Sequence, residues 1–341
     1  MGKSNLELEK LEAEENVEKV PAPEEPPCSG PIIQRWNVML PYIHLQCGLG
    51  EGPYYEPARH YLRFVDIKKK RLHIVDLYKS KSDIGEQVKT IQLDTPVTVT
   101  ADIDGVDPRE RIAIGAKYGV AVLDLRSGKY EYVSRFSSAA EGASDNERIR
   151  SNDGAIDPHG RFWLGTMTDI GLDLQPEGSL YLFDGKTRKA RSVRHPVTIP
   201  NSISWSPDKR TMYFTDSVAR TIFARDYDVE TGDVSEERVF YKHDGPGEPD
   251  GHRVDVEGNL WQAVYGEGRV LKISPQGKMI GEISLPTKNI TCVEFVGTEL
   301  YITTAGMEEG EGTEEEVELS GALFKVDVFV EGLKPHLFKL S

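Results

Sequence analysis

Six segments of the chain repeat one short strand pattern at nearly constant intervals. They are Tyr61–Asp66, Arg111–Ala116, Arg161–Thr166, Thr211–Asp216, Asn259–Val264 and Glu299–Thr304, and their starts lie 50, 50, 50, 48 and 40 residues apart. A period of this length marks a propeller or another repeat array, because each unit is one small sheet that cannot bury its faces alone. A second register runs in step with the first. Each strand is followed by another that ends in an acidic or hydroxyl residue, at Asp76, Asp124, Asp184, Asp226, Ser274 and Asp327. β-Branched and aromatic residues fill both sets, and turn residues separate them. Six such units predict an all-β chain folded as a six-bladed β-propeller.

The formal net charge of −15 over 341 residues is unevenly spread. Residues 1–27 hold eight Glu and three Lys, and residues 306–319 hold seven Glu and no basic residue. Blocks of like charge repel themselves into solvent, so residues 1–30 read as a disordered acidic extension, residues 306–319 as a surface loop, and the propeller as residues 31–341. Neither block suits nucleic acid, whose phosphates need Lys and Arg patches. Three cysteines, Cys28, Cys47 and Cys292, make no disulfide framework and no Cys-x-x-Cys pair. With no apolar leader and no apolar run near the ~20 residues of a membrane span, the expectation is a cytoplasmic protein with no membrane contact and no obligate protein partner. Ile33–Met39 and Pro335–Leu340 are the candidates for strands that complete one blade and close the ring.

Turn signals place the first, innermost strand of most blades. Asp157-Pro-His-Gly160, Ser206-Pro-Asp-Lys209 and Val256-Glu-Gly-Asn259 lead into second strands, with Pro presetting φ and Gly accepting positive φ. Counting back from the second strands gives Glu51 at 10 residues, Asn152 at 9, Asn201 at 10 and Asp250 at 9. Four blades thus put an oxygen-bearing side chain at one phase, the mouth of the channel. In the other two blades the count falls on Ala101 and Asn289. Carboxylate and amide oxygens without Cys or His suit Ca²⁺, Mg²⁺ or Mn²⁺, with Zn²⁺ lacking its favoured N and S donors. Asp153, next to Asn152 on an extended strand, is expected to face away.

Leu49-Gly-Glu-Gly-Pro53, Ser151-Asn-Asp-Gly-Ala-Ile-Asp-Pro-His-Gly-Arg-Phe-Trp-Leu-Gly-Thr-Met167, Pro200-Asn-Ser-Ile-Ser-Trp-Ser206 and Pro249-Asp-Gly-His-Arg-Val-Asp255 resemble the SMP-30/gluconolactonase (regucalcin-like) family, over about Gly48 to Val328. The resemblance implies a propeller that hydrolyses a sugar lactone with one divalent cation in the channel. It implies Glu51, Asn201 and Asp250 as metal ligands, and Asn152 and Arg150 as substrate-binding residues. The reaction expected is hydrolysis of an aldonolactone to the aldonic acid, with the water activated by Asp250 as general base or by the cation itself. Two departures from the family pattern bear on the substrate: Leu174 stands where some members carry an acid, and His252 and Arg253 replace small apolar residues. The alternatives are a non-catalytic calcium-binding regulator and a paraoxonase-like esterase. No Gly-x-Ser-x-Gly, His-Glu-x-x-His or Walker motif occurs.

Overall fold

The computed structural model describes residues 33–79, 84–136 and 146–341. The acidic extension assigned to residues 1–30 lies outside the described residues. Six sheets stand around one axis, five of four antiparallel strands and one with a fifth, parallel strand at its edge, so the chain is a six-bladed β-propeller. The inner strands are Gly50–Glu56, Val97–Ala101, Ile149–Ile156, Pro200–Trp205, Glu248–Val254 and Ile290–Val296, for blades 1 to 6 in that order. Each packs against the inner strands of the two neighbouring blades.

The strands form where the repeats place them because their alternate residues fill the space between blades. Ile112 and Ile114 of blade 2 pack with Val65 and Leu72 of blade 1, and Trp163 of blade 3 packs with Ile203 and Phe214 of blade 4. The turn into the second strand is locked by an acid. Asp157 accepts hydrogen bonds from the amides of His159 and Arg161 (2.9 Å each), from Arg161 Nε (2.7 Å) and from Trp163 Nε1 (3.0 Å). Asp255 does the same in blade 5, accepting from the Asn259 amide at 2.8 Å and from Trp261 Nε1 at 2.9 Å. Gly160 and Gly258 sit in these turns at φ +99° and +86°, where a side chain would be strained.

Ring closure differs from the sequence expectation. Ile43–His44 pairs antiparallel with Ala322–Asp327 and is the outer strand of blade 6. Gln34–Asn37 instead runs parallel to Met279–Ser284 as a fifth strand on blade 5. Pro335–Leu340 forms no blade strand. It crosses beneath the inner strands: the Leu333 amide bonds Val254 O, the Phe338 amide Asp102 O and the Lys339 amide Gly160 O, each at 2.9 Å. Part of the acidic segment is ordered as a short helix, Glu314–Glu318, because Thr313 and Glu316 form a reciprocal capping box. Among the described residues no helix is long and apolar enough to cross a membrane.

Candidate metal centre in the channel

Every inner strand breaks register at one level of the channel. The breaks fall between Glu51 and Tyr54, Val97 and Val99, Ser151 and Gly154, Pro200 and Ile203, Pro249 and His252, and Ile290 and Cys292. A bulge inserts a residue, bends the strand and re-aims its side chain. In blades 1, 3, 4 and 5 the residues at the break include Glu51, Asn152 with Asp153, Asn201 and Asp250. In blades 2 and 6 they are Thr98 and Thr291, not Ala101 and Asn289. The count slips in blade 2 because the connection after Val97–Ala101 is longer. In blade 6, Asn289 lies outside the strand and bridges Tyr265. The two threonines turn to neighbouring strands, Thr98 Oγ1 lying 2.9 Å from Ser151 Oγ and Thr291 Oγ1 donating to Gly50 O at 2.6 Å.

The bulge also overrides alternation at Asp153. Its carboxylate faces the same cluster as Glu51 and Asp250, and Ser202 Oγ donates to it at 2.7 Å. Asp153 is therefore a site residue that the strand-alternation rule misassigns. Gly52, at φ +52°, lets the chain fold so that its amide donates to Glu51 Oε2 at 2.8 Å. A Cβ there would stand 2.5 Å from Thr98 O. Asn201 Nδ2 donates to Asp250 Oδ1 in a short contact and to Ser217 Oγ at 3.2 Å.

Three carboxylates buried together oppose one another's ionisation. Burial, then the charge of Asp153, pushes Glu51 up to about 8. Burial, then the charges of Glu51 and Asp153, raises Asp250 well above the usual carboxylate range. Two positive groups face this cluster. Arg150 is only 4% exposed, and burial lowers its pKa to about 10. Its Nη1 donates to Asn152 Oδ1 at 3.0 Å and to Ser151 O at 2.7 Å, while its buried Nε has no partner among the described residues. Asn152 Nδ2 in turn donates to Pro200 O at 3.0 Å. Glu147, three residues before Arg150, pairs with Lys117 at 3.1 Å. Arg253, the other positive group, is tied to Glu294 at 2.9 Å and to Pro53 O at 3.0 Å. The donor set thus has crowded hard oxygens and an excess of buried negative charge, which a divalent cation would relieve.

Below the acids, Arg253 reaches across the channel, while His252, its neighbour on the strand, packs between blades 4 and 5. His252 is completely buried, with Nε2 2.7 Å from Ser204 Oγ and Nδ1 3.2 Å from Gln262 Oε1, and burial depresses it to about 3, so the ring is neutral. At the mouth, Asp169 lies within electrostatic reach of Arg150 and pairs with Lys117 at 3.0 Å. Leu174 is exposed in the same loop. Sequence spacing had no signal for Asp169 or Lys117, since neither sits at the repeating phase.

The family model described as "SMP-30/Gluconolactonase/LRE-like region" matches residues 49–306. The pentonolactonase XacC of Haloferax volcanii is 34% identical over 298 residues, covering 85% of this chain and 94% of that protein. The putative sugar lactone lactonase YvrE of Bacillus subtilis is 32% identical over 297 residues, with the same coverages. A calcium-binding protein, regucalcin, from Agrobacterium tumefaciens superposes with a TM-score of 0.78 at 26% identity, over 91% of this chain and 100% of that one.

Proposed function

The chain belongs to the SMP-30/gluconolactonase/LRE-like family, and from that premise we propose that it hydrolyses a sugar lactone, an aldonolactone, to the corresponding aldonic acid. The observation that carries this reading is the convergence of Glu51, Asn201 and Asp250 from three blades on one buried cluster, with Arg150 and Asn152 beside it. Glu51, Asn201 and Asp250 would hold one divalent cation, with Asp153 joining them or bracing them through Ser202. Bound there, the cation supplies Lewis-acid polarisation of the lactone carbonyl, which is worth several kcal/mol of charge stabilisation.

The chain's own groups divide the remaining work. Asp250 accepts the proton of the attacking water, and the Asn201 amide fixes which carboxylate oxygen is available. Arg150 has an unpartnered buried Nε, which supports its role as donor to a ring hydroxyl and to the carboxylate that forms as the ring opens. Asn152, held between Arg150 and the Pro200 carbonyl, is positioned to bond the same substrate edge. The Arg253–Glu294 pair lies across the channel beneath the acids, and neutral His252 braces blade 4 against blade 5. Free, buried Cys47 and Cys292 support a reducing, cytoplasmic setting.

The test is a panel of aldonolactones assayed after chelation, then after return of Ca²⁺, Mg²⁺, Mn²⁺ or Zn²⁺. Turnover should vanish on chelation and return with at least one ion. No turnover of any lactone with any ion would favour the calcium-binding regulator. Turnover indifferent to chelation would remove the cation from the reaction.

A further inference from the structure

We propose that Cys47, Asp66 and His73 form a second cation site, selective for a borderline-soft ion of the Zn²⁺ class and sharing no donor with the channel cluster. The three side chains come from different parts of the fold. Cys47 lies in the crossing from the outer strand of blade 6 to the inner strand of blade 1. Asp66 ends Tyr61–Asp66 and His73 lies within Arg71–Asp76. All three are buried, at 3%, 1% and 3% exposure, and a thiol sulfur, a carboxylate oxygen and an imidazole nitrogen lie within 4.8 Å of one another.

The hydrogen bonds leave these donors available. Asp66 Oδ1 accepts from the amides of Leu49 at 3.1 Å and Lys69 at 3.0 Å, and Oδ2 accepts from Gly48 at 2.8 Å. A carboxylate accepts about four such bonds, so one lone pair remains on Oδ2. His73 Nδ1 is 2.9 Å from Thr90 Oγ1, which orients the ring and leaves Nε2 for an ion. Metal-binding imidazoles are held in this way by a partner on the other nitrogen. The Cys47 sulfur has no hydrogen-bond partner among the described residues, and its neighbour Gln46 is exposed, so the site lies one residue below the surface.

A turn cap alone accounts for Asp66 but not for a thiol and an imidazole converging on it. Their chemistry separates this site from the channel. Sulfur and nitrogen favour Zn²⁺ and its softer relatives over Ca²⁺ and Mg²⁺. With Zn–S of about 2.3 Å and Zn–N of about 2.0 Å, a tetrahedral ion holds its donors ~3.5 Å apart. Occupancy would draw the three side chains inward by ~1 Å, with water as the fourth ligand.

The experiment is a Co²⁺ titration of the intact chain followed by absorbance. A thiolate bound to Co²⁺ gives a ligand-to-metal charge-transfer band in the near ultraviolet, and the oxygen donors of the channel give none. The band should saturate by two equivalents, since the channel takes up an ion of its own without contributing to it, persist in Cys28→Ser, Cys292→Ala and Asn201→Ala, and disappear in Cys47→Ser. If Cys47→Ser fails to fold, His73→Gln carries the comparison and should need at least ~10-fold more Co²⁺. Absence of the band in the parent chain overturns the proposal. So does a band that survives in folded Cys47→Ser, that is lost only with Cys292, or that is unmoved by His73→Gln.

Discussion

Replacing Glu294 by Gln should show how far the channel floor depends on one ion pair. Glu294 is closed off from solvent, its side chain 4% exposed, and it meets Arg253 Nε at 2.9 Å; Arg253 keeps 21% exposure. Removing one partner of a fully buried pair costs ~3–5 kcal/mol, most of it from the charge left behind. The residual exposure of Arg253 and its contacts to Pro53 O and His252 O place this case at the lower end, ~3 kcal/mol. A unit spanning Ile33–Ser341 has an unfolding entropy of about 0.65 kcal/mol/K at ~2.1 cal/mol/K per residue, so Tm should fall by about 5 °C. Calorimetry of Glu294→Gln, Arg253→Met and the double variant, all in chelator, measures this directly. The double variant should be more stable than the two single losses combined would give, by ~2 kcal/mol or more. Losses that add to within ~0.5 kcal/mol would mean the two groups do not interact, and the reasoning would be wrong.

Asp250→Asn should keep the fold and its melting temperature while lowering lactone turnover by at least ~10²-fold, the range for loss of a general base; parental turnover with cation supplied would remove Asp250 from that role. Gly251→Ala places a Cβ 2.3 Å from Cys292 Sγ and 2.7 Å from its Cα; overpacking of this kind costs ~1–3 kcal/mol, which a urea midpoint will register. Burial depresses His336 below its ordinary 6.5, helped by Lys209. The docked segment therefore binds fewer protons than the free one, and its stability is present above 6.5 and lost as pH falls. Protection factors of residues 332–340, taken relative to the intrinsic exchange rate at each pH, should fall on acidification in the parent and less in His336→Gln.

Much of this architecture could be read from the chain because a propeller writes itself as a period. The six second strands begin where the repeats put them, apart from Phe162 and Leu260, each one residue inside its repeat. Glu51, Asn152, Asn201 and Asp250 fall in step because their blades share one spacing. What escaped did so for physical reasons. Asp153 faces inward because the bulge breaks the two-residue alternation on which its assignment rested. Thr98 and Thr291 were missed because their blades do not keep the spacing of the other four. Arg253 and Glu294 meet across two blades, a pairing that no local pattern encodes. Ile43–His44 is only two residues long, too short for alternation to declare it a strand, although it closes the ring.

That two-residue strand fixes the order of events in the protein's birth. Ile43 finds its partner at Leu323, so it must wait on the ribosome until five blades and most of the sixth have been made. Blades 1 to 5 can assemble as they emerge, but only as an open arc, because pairings so distant in sequence form late. Severing the chain just after His44 should leave blade 6 without its rim and let the circle gape.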